Sequence, residues 1–323
     1  MQGVILAAGK GSRLHPITID RSKAMLPILG KPIVERVLEL LLVNGIHDFI
    51  LVVSPTDRDI TRYFSRESTI EADIRFVYQP ERKGMANALA CAAPLITEDF
   101  VLSACDNLVP SVEVGRLVSA MRGVGEGMEG SSPHGVLTLL PVDPERLGTM
   151  AIVEMEGPWI TRIVEKAQPG EVASNMSSLP LYAFSRKIID YLPEVPLSPR
   201  GEYELQDAMQ MLIEREGRVG GLVINRRLTL TNAADLLSLN REYLIHGGDR
   251  PQLAPTAVGP GTQLITPLHI GARVVIGKDC TIGPNVYIER DCRLGDRVTV
   301  RDAIVLRGAE VADGATIANE VVA

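Results

Sequence analysis

The sequence lacks several features that mark large classes of proteins. It has no run of basic residues, and its 323 residues carry a formal net charge of −7, which argues against a nucleic-acid partner. A single nucleotide could still bind, because only its own pocket must be positive. No apolar run approaches the roughly 20 residues that cross a bilayer. No basic leader precedes the first apolar stretch, so we expect neither a membrane partner nor a secretory signal.

Cysteine is also scarce. The four cysteines are Cys91, Cys105, Cys280 and Cys292. None of them forms a Cys-x-x-Cys pair, so the spacing favours neither a zinc site nor a disulfide framework. We therefore expect reduced thiols in a cytoplasmic protein.

A glycine loop lies close to the N-terminus. Val4–Leu6 is a short apolar run that predicts a buried strand, and Gly9 and Gly11 follow it. Glycines let the backbone turn tightly and bring bare N–H groups close to a ligand. Arg13 adds a planar guanidinium with several N–H donors, and Lys23 adds a compact positive charge. Both groups can bind phosphate oxygens. The pattern predicts a triphosphate site, with a tight turn that binds nothing as the alternative. The third glycine of the dinucleotide fingerprint is absent, which disfavours a nicotinamide or flavin site.

Strands and helices alternate behind this loop. The apolar patterns predict strands at 49–53, 74–78, 100–104, 136–140, 150–154 and 160–164, and helices at 33–42, 57–64, 85–93, 112–121, 185–191 and 203–215. Such alternation indicates an α/β domain with a mostly parallel sheet and helices on both faces. Ligands of such sheets bind off the carboxyl ends of the strands, where the glycine loop and Asp106 fall.

The C-terminal part changes to a six-residue period. One apolar row consists of Val258, Leu264, Ile270, Ile276, Ile282, Ile288, Leu294, Val300 and Leu306, and a second of Leu268, Val274, Cys280, Val286, Cys292, Val298 and Ile304. This period is typical of a parallel β-helix of hexapeptide repeats, here with three coils and with Cys280 and Cys292 inside. We expect one domain at 1–245, a linker at 246–255 and the β-helix at 256–323.

Three segments together resemble the signature of the sugar-1-phosphate nucleotidyltransferases, closest to the long-tailed thymidylyl- and uridylyltransferases. They are Leu6-Ala-Ala-Gly-Lys-Gly-Ser-Arg-Leu-His-Pro-Ile-Thr18, Lys23-Ala-Met-Leu-Pro27 and Gly30-Lys31-Pro32. The resemblance implies a Rossmann-like domain followed by a left-handed β-helix. It also implies Mg²⁺-dependent transfer of a nucleotidyl group from a nucleoside triphosphate to a hexose 1-phosphate, with release of pyrophosphate.

The same resemblance assigns the nucleotide-binding residues. Arg13 and Lys23 would hold the triphosphate as catalytic residues. Gln79 would read the base with Gly84 beside it, although a glutamine in solvent at a strand end is the alternative reading. The form of the first loop favours UTP or dTTP. The remaining nucleotide contacts would come from Leu6, Ala8, Gly9, Gly11 and Ser12.

Metal and sugar phosphate are assigned in the same way. Asp106 would bind Mg²⁺, unless it merely caps a turn, and Asn225 is the weaker second ligand, with Thr229 as its alternative. The expected sugar-phosphate residues are Gly148, Glu165, Lys166 and Ser178. The alternative for the Glu165–Lys166 pair is an exposed ion pair.

Nucleotidyl transfer of this kind does not require a covalent intermediate with the protein. A sugar 1-phosphate is already mostly dianionic near neutral pH, since its second pKa is about 6 by analogy with phosphoserine. It needs no general base, so alignment and charge neutralisation are the expected contributions.

Four positions depart from the family pattern. Cys105 replaces a glycine, Met85 a threonine, Ser178 an asparagine and Pro180 a glycine. They support a second hypothesis, a non-catalytic or regulatory relative that binds nucleotide sugar. A third hypothesis is an acyltransferase that uses the β-helix. In each case we expect the tail to join subunits of a homo-oligomer.

Overall fold

The structure is a computed structural model in which residues 1–165, 171–246, 254 and 256–323 are described. The chain divides into two compact units. The sheet unit contains Met1–Lys10 and Val34–Leu228, and the tail unit contains Gly11–Ile33 and Thr229–Ala323. The tail unit begins at Thr229, before the predicted boundary near 245, and it also contains the segment after the first loop. Most of the predicted linker, 247–253 and 255, lies outside the described residues.

Seven helices occur in the described part of the chain. They are α1 (Ile33–Leu42), α2 (Arg58–Arg66), α3 (Met85–Ala92), α4 (Ser111–Met121), α5 (Ile188–Tyr191), α6 (Leu205–Glu216) and α7 (Ala233–His246). Short 3₁₀ helices lie at Ser12–Leu14, Lys23–Met25, Ala93–Leu95, Pro144–Thr149 and Leu192–Glu194. Within the described residues no helix has the length and apolar character needed to cross a membrane.

A nine-stranded sheet forms the centre of the sheet unit. Its strands are β1 (Gln2–Leu6), β2 (Asp48–Val53), β3 (Asp73–Tyr78), β4 (Phe100–Ala104), β5 (Gly135–Pro141), β6 (Ala151–Glu156), β7 (Trp159–Glu165), β8 (Met176–Phe184) and β9 (Val219–Val223). Across the sheet the order is β3-β2-β1-β4-β8-β5-β9-β7-β6, and β8 also pairs with β6.

The first half of this sheet is parallel, as predicted. Strands β3, β2, β1 and β4 pair in parallel. Residues 49–53 are fully buried, as expected for a parallel strand covered on both faces. The connections from β1 to β2 and from β2 to β3 move one way across the sheet, and the connection from β3 to β4 moves back. Right-handed crossovers therefore place α1 and α2 on one face and α3 on the other.

The second half of the sheet is mixed, so the prediction of a mostly parallel sheet holds for one half only. Strand β8 is antiparallel to β4 and β5, whereas β9 is parallel to β5. The sequence did not predict β8, because Pro180 cannot donate to a β-ladder. The register of β8 against β5 shifts between Ser178 and Tyr182. Pro180 lies in this irregularity, where no N–H is needed.

The C-terminal tail (256–323) is built from three parallel sheets of four strands each. Successive strands enter three different sheets, and the fourth returns to the first, so that Ile276 lies opposite Val258, 18 residues earlier. This topology is that of a parallel β-helix. The sheets contain, first, Ala257–Val258, Val275–Ile276, Arg293–Leu294 and Glu310–Val311; second, Gln263–Leu264, Thr281–Ile282, Thr299–Arg301 and Thr316–Ala318; and third, Leu268–Ile270, Val286–Ile288, Ala303–Val305 and Val321–Val322.

Four coils are present, one more than the six-residue period predicted. Ile288 lies opposite Val305, 17 residues later, so the repeat is one residue shorter here. Ala303 and Val305 therefore join the core in place of Ile304 and Leu306. Because the repeat is one residue shorter here, the apolar row no longer follows a six-residue period. The strands that come after this point were therefore not predicted.

Close packing of the coils explains the glycines of the tail. Gly283 has φ +109°, and a Cβ placed on it would lie 1.8 Å from the Ile265 carbonyl oxygen. Only glycine allows this approach. Cys280 and Cys292 are buried in the core, as predicted, and all four cysteines are free thiols.

Candidate active site

The carboxyl ends of β1 to β4 meet at one edge of the sheet, here called the carboxyl edge. The Cys105 N–H donates to the Leu6 carbonyl at 3.1 Å, which continues the β1–β4 ladder beyond β4. Leu6, Ala8 and Asp106 therefore lie along this edge. Gly9 is exposed, and no heavy atom lies within 4 Å of the position that a Cβ would take. The edge is thus open where the glycine loop leaves β1.

Gln79 is held at the same edge. Its N–H donates to the Val53 carbonyl at 2.9 Å, and its side chain is buried. The Nε2 group donates to the Gly84 carbonyl at 3.2 Å and to Asn87 Oδ1 at 2.8 Å. Gln79 is therefore not a glutamine in solvent, and that alternative is wrong. Both amide N–H donors are engaged, which leaves Oε1 as the group that can accept a hydrogen bond from a ligand.

Gly84 is required by the packing of the chain. It has φ +92°, and a Cβ placed on it would lie 2.5 Å from the Tyr203 carbonyl oxygen. The same carbonyl accepts the N–H of Ala86 at 3.1 Å, and the Tyr203 N–H donates to Lys83 at 2.8 Å. These bonds fix the start of α3 and the loop that carries Gln79.

Arg82 is a further basic residue of the carboxyl edge that the sequence analysis did not assign. Its Nε donates to the Ala8 carbonyl at 2.5 Å, although the two residues are 74 positions apart. The side chain is exposed. A basic residue inside the Gln79–Gly84 loop was the signal that could have indicated it.

Asp106 is a buried carboxylate with 7% exposure, and Asn107 beside it is 2% exposed. Arg227 donates from Nε to Asn107 Oδ1 at 2.6 Å. Asn225 is exposed and lies two residues before Arg227, just beyond β9. Arg227 thus ties the segment that carries Asn225 to the neighbour of Asp106. Thr229, the alternative metal ligand, lies in the tail unit.

Two of the residues predicted to bind sugar phosphate, Glu165 and Ser178, lie on strands that both pair with β6. Ile152 in β6 lies opposite Ser177 in β8 and opposite Val164 in β7. Glu165 and Ser178, the next residue on each strand, therefore share this neighbourhood. Gly148 belongs to the 3₁₀ helix Pro144–Thr149 that leads into β6. Lys166 lies outside the described residues.

Tyr182 is a buried tyrosine of β8. Burial raises the pKa of Tyr182 to about 12, and the charges of Arg227 and Glu165 also act on its hydroxyl. Glu165 accepts a hydrogen bond from Arg200 Nη2 at 3.4 Å. Tyr182 itself lies in the second half of β8, opposite Leu102 in β4 and Leu137 in β5.

The rest of the glycine loop belongs to the tail unit. Gly11 has φ +65°, and the position of a Cβ on it lies 3.0 Å from Cβ of Lys23. Thr18 Oγ1 donates to the Gly11 carbonyl at 2.8 Å. Lys23 thus packs directly against the loop at Gly11. Ser12 and Arg13 are exposed in the 3₁₀ helix that follows.

The acidic side chains of the carboxyl edge decide which kind of metal site is possible. Within the described part of the chain no three acidic, histidine or cysteine side chains cluster as a metal cage. Mg²⁺ commonly takes only one or two carboxylates from a protein and completes its shell with substrate phosphates and water. A single buried carboxylate at the carboxyl edge fits that requirement, and Asp106 is in this position.

A glycine loop, a buried glutamine and a buried carboxylate at the carboxyl ends of parallel strands form a candidate site where proteins of the α/β class bind their ligands. The chain belongs to the Nucleotidyl transferase family, which it matches over residues 2–227. Residues 264–323 match a second family, described as GMPPB C-terminal domain. The predicted resemblance to the sugar-1-phosphate nucleotidyltransferases is thereby confirmed.

Similar proteins agree with this assignment. The bifunctional protein GlmU of Methanococcus maripaludis strain C7 is 31% identical over 250 residues, which cover 76% of this chain and 54% of GlmU. This chain therefore spans about half the length of that relative. The UTP--glucose-1-phosphate uridylyltransferase AglF of Haloferax volcanii is 32% identical over 219 residues, 68% of this chain and 85% of AglF. A crystal structure of UDP-glucose pyrophosphorylase complexed with UDP-glucose has the same fold, with a TM-score of 0.65, 21% identity, and coverage of 75% of this chain and 97% of that one.

Proposed function

We propose that this protein transfers a nucleotidyl group from UTP or dTTP to a hexose 1-phosphate in the presence of Mg²⁺, forming a nucleotide sugar and pyrophosphate. The observation that carries the proposal is the carboxyl edge of the sheet. Gln79, Asp106 and the start of the glycine loop lie along it, and Asp106 follows β4, the strand next to β8. The beginning of β8 in turn lies beside Glu165, the predicted sugar-phosphate residue.

The hydrogen bonds of Gln79 support the choice of base. Because Gly84 and Asn87 occupy both of its amide N–H donors, Oε1 is the remaining group for a base. Uracil and thymine carry an N3–H that can donate to this oxygen, whereas N3 of cytosine carries no hydrogen. This difference favours UTP or dTTP over CTP.

Asp106 would hold Mg²⁺, with Asn225 as the second protein ligand. The bound ion would neutralise charge on the phosphates and on the departing pyrophosphate. Arg13 and Lys23 would bind the triphosphate, since a guanidinium and an ammonium both pair with phosphate oxygens. Gly148, Glu165, Lys166 and Ser178 would orient the sugar phosphate, whose oxygen attacks the α-phosphorus. In this proposal the β-helix of the tail is left-handed and joins subunits of a homo-oligomer.

A second function is supported by one observation. Pro180 lies in the irregular part of β8, directly after the Ser178 segment, and it offers no N–H to a sugar. A relative that binds nucleotide sugar without turnover would tolerate this loss.

One assay distinguishes the two. Pyrophosphate release is measured with Mg²⁺ across a panel of nucleoside triphosphates and hexose 1-phosphates. We expect turnover with UTP or dTTP, and we expect Asp106→Ala to abolish it while Asp190→Ala, an exposed change on α5, leaves it intact. Binding of a nucleotide sugar without turnover on any pair would instead support the regulatory relative.

A further inference from the structure

Arg21 and Glu289 form a largely buried ion pair inside the tail unit. Arg21 donates from Nη1 to Oε2 at 2.9 Å and from Nη2 to Oε1 at 3.1 Å. The two side chains are only 8% and 13% exposed. Glu289 Oε2 also accepts the backbone N–H of Arg307 at 2.9 Å. A fork-to-fork pair of this kind fixes orientation as well as distance.

The two partners are 268 residues apart along the chain. Arg21 lies two residues before Lys23, in the stretch that begins with the glycine loop. Glu289 directly follows the Val286–Ile288 strand of the β-helix. The ion pair therefore joins the segment predicted to bind triphosphate to the tail.

A second tether holds the same segment. Asn240 of α7 is 1% exposed; its Oδ1 accepts the Leu29 N–H at 2.9 Å, and its Nδ2 donates to the Pro27 carbonyl at 3.2 Å. The segment 12–25, which contains Arg21, has only two 3₁₀ helices of three residues each. Helices this short are not stable alone, so they do not fix the conformation of the segment by themselves.

A buried ion pair often contributes little net stability, because desolvation offsets the attraction, and its clearest use is to select one conformation. We propose that Arg21 and Glu289 are positioning residues, through which the β-helix holds Lys23 and Arg13 in the orientation that binds triphosphate. This inference rests on the proposed function of the glycine loop. It gives the tail a role within each chain that does not depend on subunit assembly.

The proposal predicts a selective kinetic effect. Arg21→Met keeps the apolar stem and removes the fork, so the loop can shift while the sheet unit is unchanged. Because small misplacements of binding groups can cost on the order of 100-fold, we expect kcat/KM for the triphosphate to fall by about 10- to 100-fold, with KM for the sugar phosphate unchanged. Arg21→Lys, which keeps the charge and loses the fork, should recover part of the loss.

A matched control exists in the same tail. Arg273 pairs with Asp291 in a similar two-bond geometry at 2.6 and 2.8 Å, but both side chains are exposed, and the partners are only 18 residues apart. Arg273→Met should leave both KM values unchanged. Equal kinetics for Arg21→Met and Arg273→Met, alongside an active wild type, would overturn the positioning role and leave the proposed function standing.

Hydrogen exchange provides a readout that needs no turnover. In the full-length protein without ligands, Arg21→Met should speed exchange at amides of residues 12–25 and leave α3 unchanged. The charge-swapped pair Arg21→Glu with Glu289→Arg should slow it again. Exchange at 12–25 equal to wild type refutes the inference even if no substrate pair is turned over, and faster exchange across the whole chain shows unfolding rather than loss of positioning and also refutes it.

Discussion

Replacing Gln79 by leucine tests how the base is recognised. Leucine has a similar volume but no polar atoms. In the protein it removes the two N–H groups that donate to the Gly84 carbonyl and Asn87 Oδ1, although the Gly84 carbonyl keeps the Ala88 N–H at 3.1 Å. At about 1 kcal/mol for each lost hydrogen bond, we expect the free energy of unfolding to fall by about 2 kcal/mol.

The same change removes the Oε1 acceptor from the base. One hydrogen bond to a base N3–H is worth about 1 kcal/mol, so kcat/KM for UTP or dTTP should fall about fivefold. N3 of cytosine cannot donate to Oε1, so kcat/KM for CTP should fall less than kcat/KM for UTP. The ratio of UTP to CTP turnover is therefore the measurement, with competition between the two triphosphates as the assay.

Asn87→Ala separates the two effects. It removes one internal partner of Gln79 and keeps Oε1, so it should lower stability by about 1 kcal/mol while the kcat/KM for UTP stays close to that of the wild type. If Gln79→Leu lowers stability but leaves the ratio unchanged, Gln79 is a structural residue and the reasoning about the base is refuted.

Three further predictions concern the scaffold. Gly84→Ala should destabilise the protein by about 1–3 kcal/mol through backbone strain and by about 1–3 kcal/mol more through contact with the Tyr203 carbonyl, measured by urea unfolding; full stability would contradict the close approach. Gly283→Ala should loosen the tail, because its Cβ would meet the Ile265 carbonyl, and faster hydrogen exchange in the tail measures this; unchanged exchange there would contradict the coil packing. Burial raises the pKa of the Cys292 thiol to about 11, so a thiolate-specific reagent at pH 8 should modify it only after unfolding, and rapid labelling of Cys292 itself in the native protein would contradict its burial.

Controls for these predictions come from the same chain. Gly157 and Gly308 also have positive φ, but nothing lies within 4 Å of a Cβ on either. Alanine at these two positions should show the backbone strain without the steric clash.

For Cys292, the pKa in the folded protein lies above the unfolded value of about 8.5. The stability that its neutral thiol contributes is therefore full below about pH 8.5 and is lost as the pH rises towards 11.

Local patterns were sufficient to predict the parallel half of the sheet. Residues 49–53 form an unbroken apolar run, and helix α1 (Ile33–Leu42) was predicted with its observed bounds. Strand β8 was missed because of Pro180, and β9 was missed for a nonlocal reason. In β9, Gly220 and Gly221 lower the strand signal, yet they are needed because Met128 and Met155 from elsewhere in the chain pack where their Cβ atoms would be.

In the candidate site, too, residues with a local sequence signal were predicted and residues defined by distant contacts were not. Gln79 and Asp106 were assigned from short motifs that each follow a strand. Arg82 and Arg227 were not, because their partners Ala8 and Asn107 lie 74 and 120 residues away along the chain. No sequence period connects positions at such separations.

Tracing oxygen through the reaction tests the central claim most directly. The sugar 1-phosphate is labelled with ¹⁸O at its phosphate oxygens and incubated with UTP or dTTP, Mg²⁺ and the protein, and the products are identified by mass spectrometry. If the sugar phosphate attacks the α-phosphorus, the nucleotide sugar retains all of the label and pyrophosphate retains none. Label in pyrophosphate, or no nucleotide sugar from any pair of substrates, would contradict the account.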